Sequence, residues 1–323
     1  MTTGRRPVVA GVENSAAGML AVGWAADEAV RHGLPLRLVH ASEWPVDPAE
    51  ADASTRSSRH DGRLRTAHAL DWSVETYPEA GVSVPRLSWT ERRHAADDAL
   101  LDKARAVAAT GHPGLEVGTE TVEGRPVEVL RAEAHAASML VLGSRRLSAL
   151  AELFTTGSIA VPVSAHAPCP VAVVRGPEAA AGVPPMVVVG IDGSPGCERA
   201  VGYAFETASL RGASLRAVQV RPPTANMVAA FGSESEVEEG LIRLGETLAG
   251  WSEKYPDVPV ERITILGHRI RSLADAAEDA LCLVVGTRGV GGFRGMLLGS
   301  VTHGLIHHAP GPLVIVPQAT DAG

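Results

Sequence analysis

Lysine is almost absent from this sequence, which contains only Lys103 and Lys254. Neither lies beside a glycine-rich loop, so the chain lacks a lysine that could act as a P-loop cation or form a Schiff base at such a loop. The net charge of -8 argues against nucleic acid as the main partner, because phosphate backbones require clustered cations. These absences exclude several kinds of phosphate chemistry and predict a protein that does not bind nucleic acid.

Cysteines are also few, and long apolar runs are missing. Cys169, Cys197 and Cys282 form no Cys-x-x-Cys pair, so neither a disulfide framework nor a zinc ribbon is indicated, and Cys282 is predicted to lie in the core. No apolar run is long enough to span a membrane, and the N-terminus lacks the pattern of a secretory signal. We therefore expect a cytoplasmic protein with no membrane partner.

The chain contains an internal repeat. Residues 8–15 recur as 187–194, at an offset of 179 residues, and the pattern around Gly143 recurs around Gly286, at an offset of 143. Within each copy, short apolar runs alternate with helical patterns, which is typical of parallel strands buried on both faces. The sequence therefore predicts an α/β fold with two tandem, doubly wound, five-stranded parallel-sheet domains.

The predicted boundaries follow from this repeat. The domains are placed at 1–176 and 186–318, joined by a linker rich in Pro, Gly and Ala. The predicted strands lie near residues 7–12, 36–41, 115–121, 138–142 and 171–174 in the first copy, and 186–191, 215–220, 261–265, 281–285 and 313–316 in the second.

The first copy is longer than the second because it carries an insertion at about residues 46–95. The insertion is polar and is predicted to be helical around Arg63 to Trp72. A long connection in a compact domain is often a lid or a binding loop. A solvated insertion without such a role is an equally open interpretation.

A glycine pattern in the second copy carries the strongest functional signal. Gly286 and Gly289 are separated by two residues, and nine more residues precede Gly299 and Ser300. The pattern follows an apolar run and precedes a predicted helix, whose first N–H groups can bind an anion. Glycine lets the backbone approach such an anion closely. The spacing fits neither the P-loop nor the dinucleotide fingerprint, but it predicts a nucleotide site.

This Gly-x2-Gly-x9-Gly-Ser spacing resembles that of the ATP-binding subgroup of the universal stress protein family. The resemblance covers nearly all of both copies outside residues 46–95. It implies a stress or dormancy sensor or regulator that binds ATP, with Mg²⁺ held through the phosphates, and that hydrolyses ATP slowly at most. The residues implied to contact the nucleotide are Gly190, Ile191, Asp192, Val220, Gly286, Gly289, Gly299, Ser300, Val301 and Thr302.

Asp192 follows the first strand of the second copy, beside the expected crevice. A carboxylate there can accept hydrogen bonds from ribose hydroxyls or help to hold a phosphate-bound magnesium ion. Alternatively, Asp192 and Ser194 form only a turn that caps the next helix. By the resemblance, the backbone of Val220 contacts the edge of the adenine base.

The first copy departs from the glycine pattern. Arg146 replaces the second glycine, the Gly-Ser pair is shifted by one residue, and Glu13 stands where the second copy has Asp192. A side chain at position 146 would obstruct close backbone approach, although its guanidinium could meet a phosphate. Nucleotide binding and a scaffold role both remain open for this copy. The residues of this second, weaker site are Glu13, Ala41, Gly143, Arg146, Gly157 and Ser158.

The remaining polar groups suggest no catalytic constellation. His303 and His307 are predicted to lie on a helix surface rather than to bind a metal, because no third ligand is evident. The paired carboxylates Asp97-Asp98 and Glu238-Glu239 are predicted to be solvated helix faces. Two rival functions stay open, namely a nucleotide hydrolase or transferase and a nucleotide-independent interaction scaffold.

The resemblance also bears on assembly. Domains of the family pair through their last strands, so the two copies of a tandem chain can pair internally as a pseudo-dimer. A further homodimer of chains is possible.

Overall fold

A computed structural model describes residues 5–43, 89–144, 159–176, 183–194, 197–222, 233–289 and 297–318. The strands are β1 (Val8–Gly11), β2 (Leu36–Ser42), β3 (Val117–Glu123), β4 (Met139–Gly143), β5 (Val171–Val174), β6 (Met186–Gly190), β7 (Ser214–Arg221), β8 (Val260–Leu266), β9 (Cys282–Gly286) and β10 (Leu313–Val316). The helices are α1 (Ala16–His32), α2 (Trp89–Ala109), α3 (Pro126–Ala134), α4 (Ala160–Ser164), α5 (Cys197–Leu210), α6 (Ser233–Lys254), α7 (Arg269–Ala276) and α8 (Ser300–His308).

The strands form one 10-stranded sheet in the order β3-β2-β1-β4-β5-β10-β9-β6-β7-β8. Each half is a parallel five-stranded sheet, and its strand order reverses at the first strand of the half. The halves meet where β5 and β10 pair antiparallel, with Val173 opposite Leu313. The predicted fold class is therefore confirmed, and the two copies pair internally through their last strands.

All ten predicted strands are confirmed to within two residues at their ends. Their apolar runs are continuous because helices cover both faces of the sheet. In β10, for example, all four side chains from Leu313 to Val316 are buried. Each fully buried aliphatic side chain of this kind contributes about 1.5–3 kcal/mol to folding. Cys282 lies in the core, as predicted, and is 1% exposed.

The helices divide between the two faces of the sheet. One core layer contains residues of α1, α2, α5 and α6, and the other contains residues of α3, α4, α7 and α8. Helix α1 begins after Ser15, whose hydroxyl accepts a hydrogen bond from the Gly18 N–H, and it ends at Gly33 with φ 61°. These are an ordinary N-cap and a left-handed C-cap, the latter favouring glycine.

The predicted insertion is too long at its C-terminal end. Helix α2 begins at Trp89, so residues 89–95 belong to a helix that has a counterpart in the second half, α6. The first turn of α2 is polar, with Glu91, Arg92 and Arg93, and so lacks the apolar periodicity that marks a helix in sequence. The predicted helix around Arg63 to Trp72 lies outside the described residues.

A buried ion pair joins the two halves beside the β5–β10 contact. Arg211, at the end of α5, donates a hydrogen bond of 2.6 Å to Oε1 of Glu28 in α1. Their side chains are only 3% and 1% exposed. The Arg211 guanidinium also lies 5.8 Å from the centre of the Trp24 ring. Because the two charges are removed from water together, each depends on the other.

Candidate functional site

The expected ligand site of the second half lies at the carboxyl ends of β6 and β9. These strands are neighbours, and the strand order reverses between them, with β7 and β8 on one side and β10 on the other. Ligands of open α/β sheets bind in the crevice at such a point, because the connections from adjacent strands leave toward opposite faces. Asp192 follows β6 and the glycine pattern follows β9, so both meet at this crevice.

The glycine pattern forms a closed loop between β9 and α8. The Thr287 N–H donates to the Val316 carbonyl at 3.1 Å, and the Gly299 N–H returns to the Thr287 carbonyl at 2.8 Å. A Cβ atom at Gly299 would lie 3.3 Å from the Thr287 oxygen and 3.5 Å from Cα of Arg288. Gly286, Gly289 and Gly299 are thus brought together, although residues 290–296 between them are outside the described ranges.

Asp192 connects the two sides of the crevice. Its Oδ1 accepts hydrogen bonds from the Ser194 N–H at 3.0 Å and from the Ser194 hydroxyl at 2.6 Å, which stabilises a turn. Gly193 in this turn has φ 77°, a conformation that favours glycine. The other carboxylate oxygen, Oδ2, lies against Gly289, where any Cβ atom would overlap it. Asp192 therefore makes the predicted turn and also reaches the glycine loop.

The N-terminus of α8 opens into the same crevice. Gly299 is its N-cap and offers no side chain to cap the helix, and the first turn contains no acidic residue. The N–H groups of Ser300, Val301 and Thr302 are in the first turn, where helices have no internal acceptors for them. The Thr302 hydroxyl donates to the Gly286 carbonyl at 2.8 Å and so fixes the helix on the end of β9. The N–H groups of the first turn and the positive end of the helix dipole therefore favour the binding of an anion at this N-terminus.

The other predicted residues lie below and beside the loop. Gly190 ends β6, and a Cβ atom there would lie 3.2 Å from Leu273 and 3.3 Å from Val285, so its lack of a side chain serves core packing. Ile191 is buried, and its N–H donates to the Val218 carbonyl at 2.9 Å. Val220 lies beyond the last residue pair of β6 and β7. Its backbone therefore lies at the rim of the crevice.

Comparison with known proteins identifies the family of the chain. The family model described as "Universal stress protein family" matches residues 4–175 and again 186–317. The chain belongs to the universal stress protein family. A universal stress protein of Mycobacterium tuberculosis is 34% identical over 317 residues, covering 97% of each chain. One of Mycolicibacterium smegmatis is 33% identical over 316 residues, covering 96% of each.

Solved structures of the family share the fold of the whole chain. A universal stress protein from Archaeoglobus fulgidus superposes with a TM-score of 0.62 over 98% of both chains, at 16% sequence identity. At this level of identity, the likeness concerns the fold and not the ligand. The tandem arrangement thus extends over the full length of this universal stress protein.

The first half of the protein builds the corresponding crevice differently. The Ser15 hydroxyl donates to Oε1 of Glu13 at 2.5 Å, and α1 begins at Ala16. A Cβ atom at Gly143 would lie 2.8 Å from the backbone of Gly18 in the first turn of α1. The helix therefore rests directly on the end of β4. Ala41 lies in β2, whereas Arg146, Gly157 and Ser158 lie outside the described residues.

One polar cluster of the first half was not predicted from the sequence. The prediction that Asp97 is a solvated residue was wrong. Asp97 is 8% exposed. Its Oδ2 accepts a hydrogen bond from the Ser42 hydroxyl at 2.9 Å, and its Oδ1 lies 3.3 Å from Nε2 of His40. Its neighbour Asp98 is exposed, as predicted. Adjacent helical residues point in directions about 100° apart, so a pair of charges need not share one environment.

The same cluster is completed by two further contacts. Nδ1 of His40 lies 2.9 Å from the Val12 carbonyl, and Nε of Arg93 donates to the Ser42 hydroxyl at 3.2 Å. The hydroxyl of Ser42 bonds the carboxylate and not the imidazole, so this is not the arrangement of a Ser-His-Asp triad. The sequence signal that could have revealed it is the repeat itself, because Asp97 aligns with Gly240, which has no side chain.

The other groups near the site that could react or bind a metal are the Cys197 thiol and the side chains of His303 and His307. Burial, reinforced by the nearby Asp192 carboxylate, raises the pKa of the Cys197 thiol, so the thiolate is disfavoured. The rings of His303 and His307 lie 5.3 Å apart on α8. Across the described ranges, no three His, Cys, Asp or Glu side chains cluster as a metal site. No helix in those ranges is long and apolar enough to cross a membrane.

Proposed function

We propose that the second half of this protein binds ATP, with Mg²⁺ held through the phosphates, and that the protein acts as a nucleotide sensor or regulator in stress or dormancy. Hydrolysis is slow at most. The physiological role and the identity of the nucleotide are what the family resemblance implies, and the crevice between β6 and β9 supports a ligand that carries phosphate.

The observation that carries the proposal is the contact between Asp192 and Gly289. Because Gly289 has no side chain, the Asp192 carboxylate can lie against the loop, which brings an oxygen ligand for a cation and the loop backbone to the same crevice. The N-terminus of α8, without a side-chain cap or acidic residue, starts at Gly299 on the same loop. Phosphate binding needs this combination of accessible N–H groups and positive helix dipole.

The residues fit magnesium bound through a nucleotide. Mg²⁺ prefers oxygen ligands and is usually held by one or two carboxylates together with substrate phosphates. Asp192 supplies carboxylate oxygen at the crevice, and its orientation is fixed by two hydrogen bonds from Ser194. A bound metal would also offset the repulsion between this carboxylate and the phosphates.

Binding, and not turnover, suits the side chains at the crevice. Oδ1 of Asp192 is engaged by Ser194, which limits its use as a proton acceptor. The raised pKa of Cys197 disfavours a thiolate nucleophile. A stable nucleotide complex whose occupancy reports on the cell is therefore the better fit.

The decisive test is the substitution Gly289→Ala. The added methyl group overlaps the Asp192 carboxylate and separates it from the loop, so we expect ATP affinity to fall at least about tenfold in titration calorimetry, as for a lost charge-assisted contact. Gly250→Ala is the matched control, because no atom lies within 4 Å of a Cβ at that position in α6. It should leave affinity unchanged.

Mass spectrometry of ligand released from freshly purified protein provides the complementary measurement. One adenine nucleotide per chain is the expected result. A wild-type protein that carries no nucleotide and does not bind added ATP in the presence of Mg²⁺ would contradict the proposal. The cytoplasmic location, the homodimer of chains and the protein partner stay predictions.

A further inference from the structure

The second half contains a counterpart of the polar cluster of the first half, but the side chains at two of its positions differ. By the two repeat offsets, His40 corresponds to Gln219, Asp97 to Gly240 and Thr121 to Thr264. The sheet register agrees, because His40 lies opposite Thr121 and Gln219 lies opposite Thr264. The same corner of the fold can therefore be compared directly between the halves.

In the second half the corner lacks its carboxylate. Oε1 of Gln219 is buried and has no hydrogen-bond partner among the described residues. Gly240 packs over it, and a Cβ atom there would lie 2.9 Å from Oε1. The hydroxyl of Thr264 is also buried without a partner in these ranges, but so is that of Thr121. The halves thus differ in the hydrogen bonding of the strand residue, since His40 is bonded and Oε1 of Gln219, within the described ranges, is not.

Gln219 also lies at the rim of the crevice. Strand β6 ends at Gly190, opposite Val218, whereas β7 continues to Arg221. Gln219 and Val220 are therefore the first residues of β7 beyond its paired stretch with β6. In the first half, His40 uses its ring nitrogen to bond the Val12 carbonyl at the same level. In the first half, a histidine side chain of the protein therefore already bonds the backbone at this edge of the crevice.

We propose that Gln219 selects the adenine base of the bound nucleotide, an inference that rests on the proposed function. The side-chain amide of glutamine matches adenine in a bidentate pair, with Oε1 accepting from the exocyclic amine and Nε2 donating to N7. Gln219 is only partly buried. Turning its amide toward the crevice sacrifices no hydrogen bond of Oε1, because that atom makes none among the described residues.

The comparison of ATP with 7-deaza-ATP tests this pair. The deaza analogue lacks only the N7 acceptor, so backbone contacts to the opposite edge of the base are preserved. We expect the full-length wild-type chain to bind ATP about fivefold more tightly than 7-deaza-ATP, as for one neutral hydrogen bond. Gln219→Leu should bind the two nucleotides equally. Its thermal unfolding without nucleotide should match that of the wild type, because no bond of Oε1 is lost.

A second variant guards against misfolding of the first. Gln219→Met keeps the unbranched shape of the side chain but lacks the amide, and it too should bind both nucleotides equally. If the wild type shows no preference, or if Gln219→Leu keeps it, the inference is wrong while ATP binding stands. A wild type that binds neither nucleotide overturns the proposed function itself.

Discussion

The carboxylate after the first strand has a different environment in each half of the chain. In the first half, Glu13 bonds the hydroxyl of Ser15, the N-cap of α1. In the second half, Asp192 bonds Ser194 through one oxygen, while the other lies against Gly289 on the loop that follows the neighbouring strand. The repeat has kept a carboxylate and a serine in both places. Among the described residues, the second arrangement places a carboxylate oxygen against the glycine loop.

The glycines of the two halves differ in the same way. In the first half, Gly18 and Gly143 let the start of α1 pack against the end of β4. In the second half, Cys197 takes the position of Gly18 and is the first described residue of α5. Its loop glycines, Gly289 and Gly299, adjoin the crevice instead. One fold therefore uses glycine either to pack a helix on the end of a strand or to let a carboxylate lie against a loop.

The largest effect is expected where the halves meet asymmetrically. Glu28 and Arg211 correspond by the repeat to Thr207 and His32. Replacing Arg211→Leu leaves the buried carboxylate of Glu28 only Arg31 and His32 as partners among the described residues, so the free energy of unfolding in urea should fall by about 3 kcal/mol. Thr207→Val is the matched control, because its buried hydroxyl has no hydrogen-bond partner among the described residues. Equal losses in both variants would contradict this account of the contact between the halves.

Acid should weaken the same contact. Burial raises the pKa of Glu28, but the hydrogen bond with His32 and the charges of Arg211 and Arg31 outweigh it, and the pKa falls from 4.5 to about 2. A lowered pKa means that the ionised carboxylate stabilises the folded state above pH 4.5 and that this contribution disappears as the pH falls toward 2. Wild type should lose about 3 kcal/mol in this range from this group. The loss should be absent from the pH dependence of Glu28→Gln, so the difference between the wild-type and variant curves should contain it. Urea unfolding of both proteins at each pH measures this difference.

The smallest effect sharpens the comparison of the glycines. A Cβ atom at Gly18 would lie 2.5 Å from the Glu13 carbonyl oxygen, so Gly18→Ala should destabilise the protein by about 2 kcal/mol through overpacking. Gly23→Ala in the same helix has its nearest neighbour at 4.0 Å and should instead stabilise by about 0.5–1 kcal/mol. Thermal unfolding of the two variants measures the contrast. Similar shifts in both would mean that α1 does not rest on Glu13 as described.

The strands were predictable because their chemistry is local. A strand buried on both faces must be apolar along its length, so runs such as Leu313 to Val316 can be recognised as strands from the sequence. The glycine pattern was equally visible, since its spacing is a property of one short segment. Asp97 was not, because its burial depends on Ser42 and His40, which are 55 and 57 residues away in the chain.

The repeat, the ten strands and the position of the glycine loop could be predicted from the sequence, because periodicity and spacing are properties of consecutive residues. The contact of Asp192 with Gly289, the burial of Asp97 and the pairing of Glu28 with Arg211 across 183 residues are apparent in the folded protein alone. The sequence around a charged side chain does not show whether the charge is solvated or paired with another residue. Its partner is fixed by the packing of helices on the sheet.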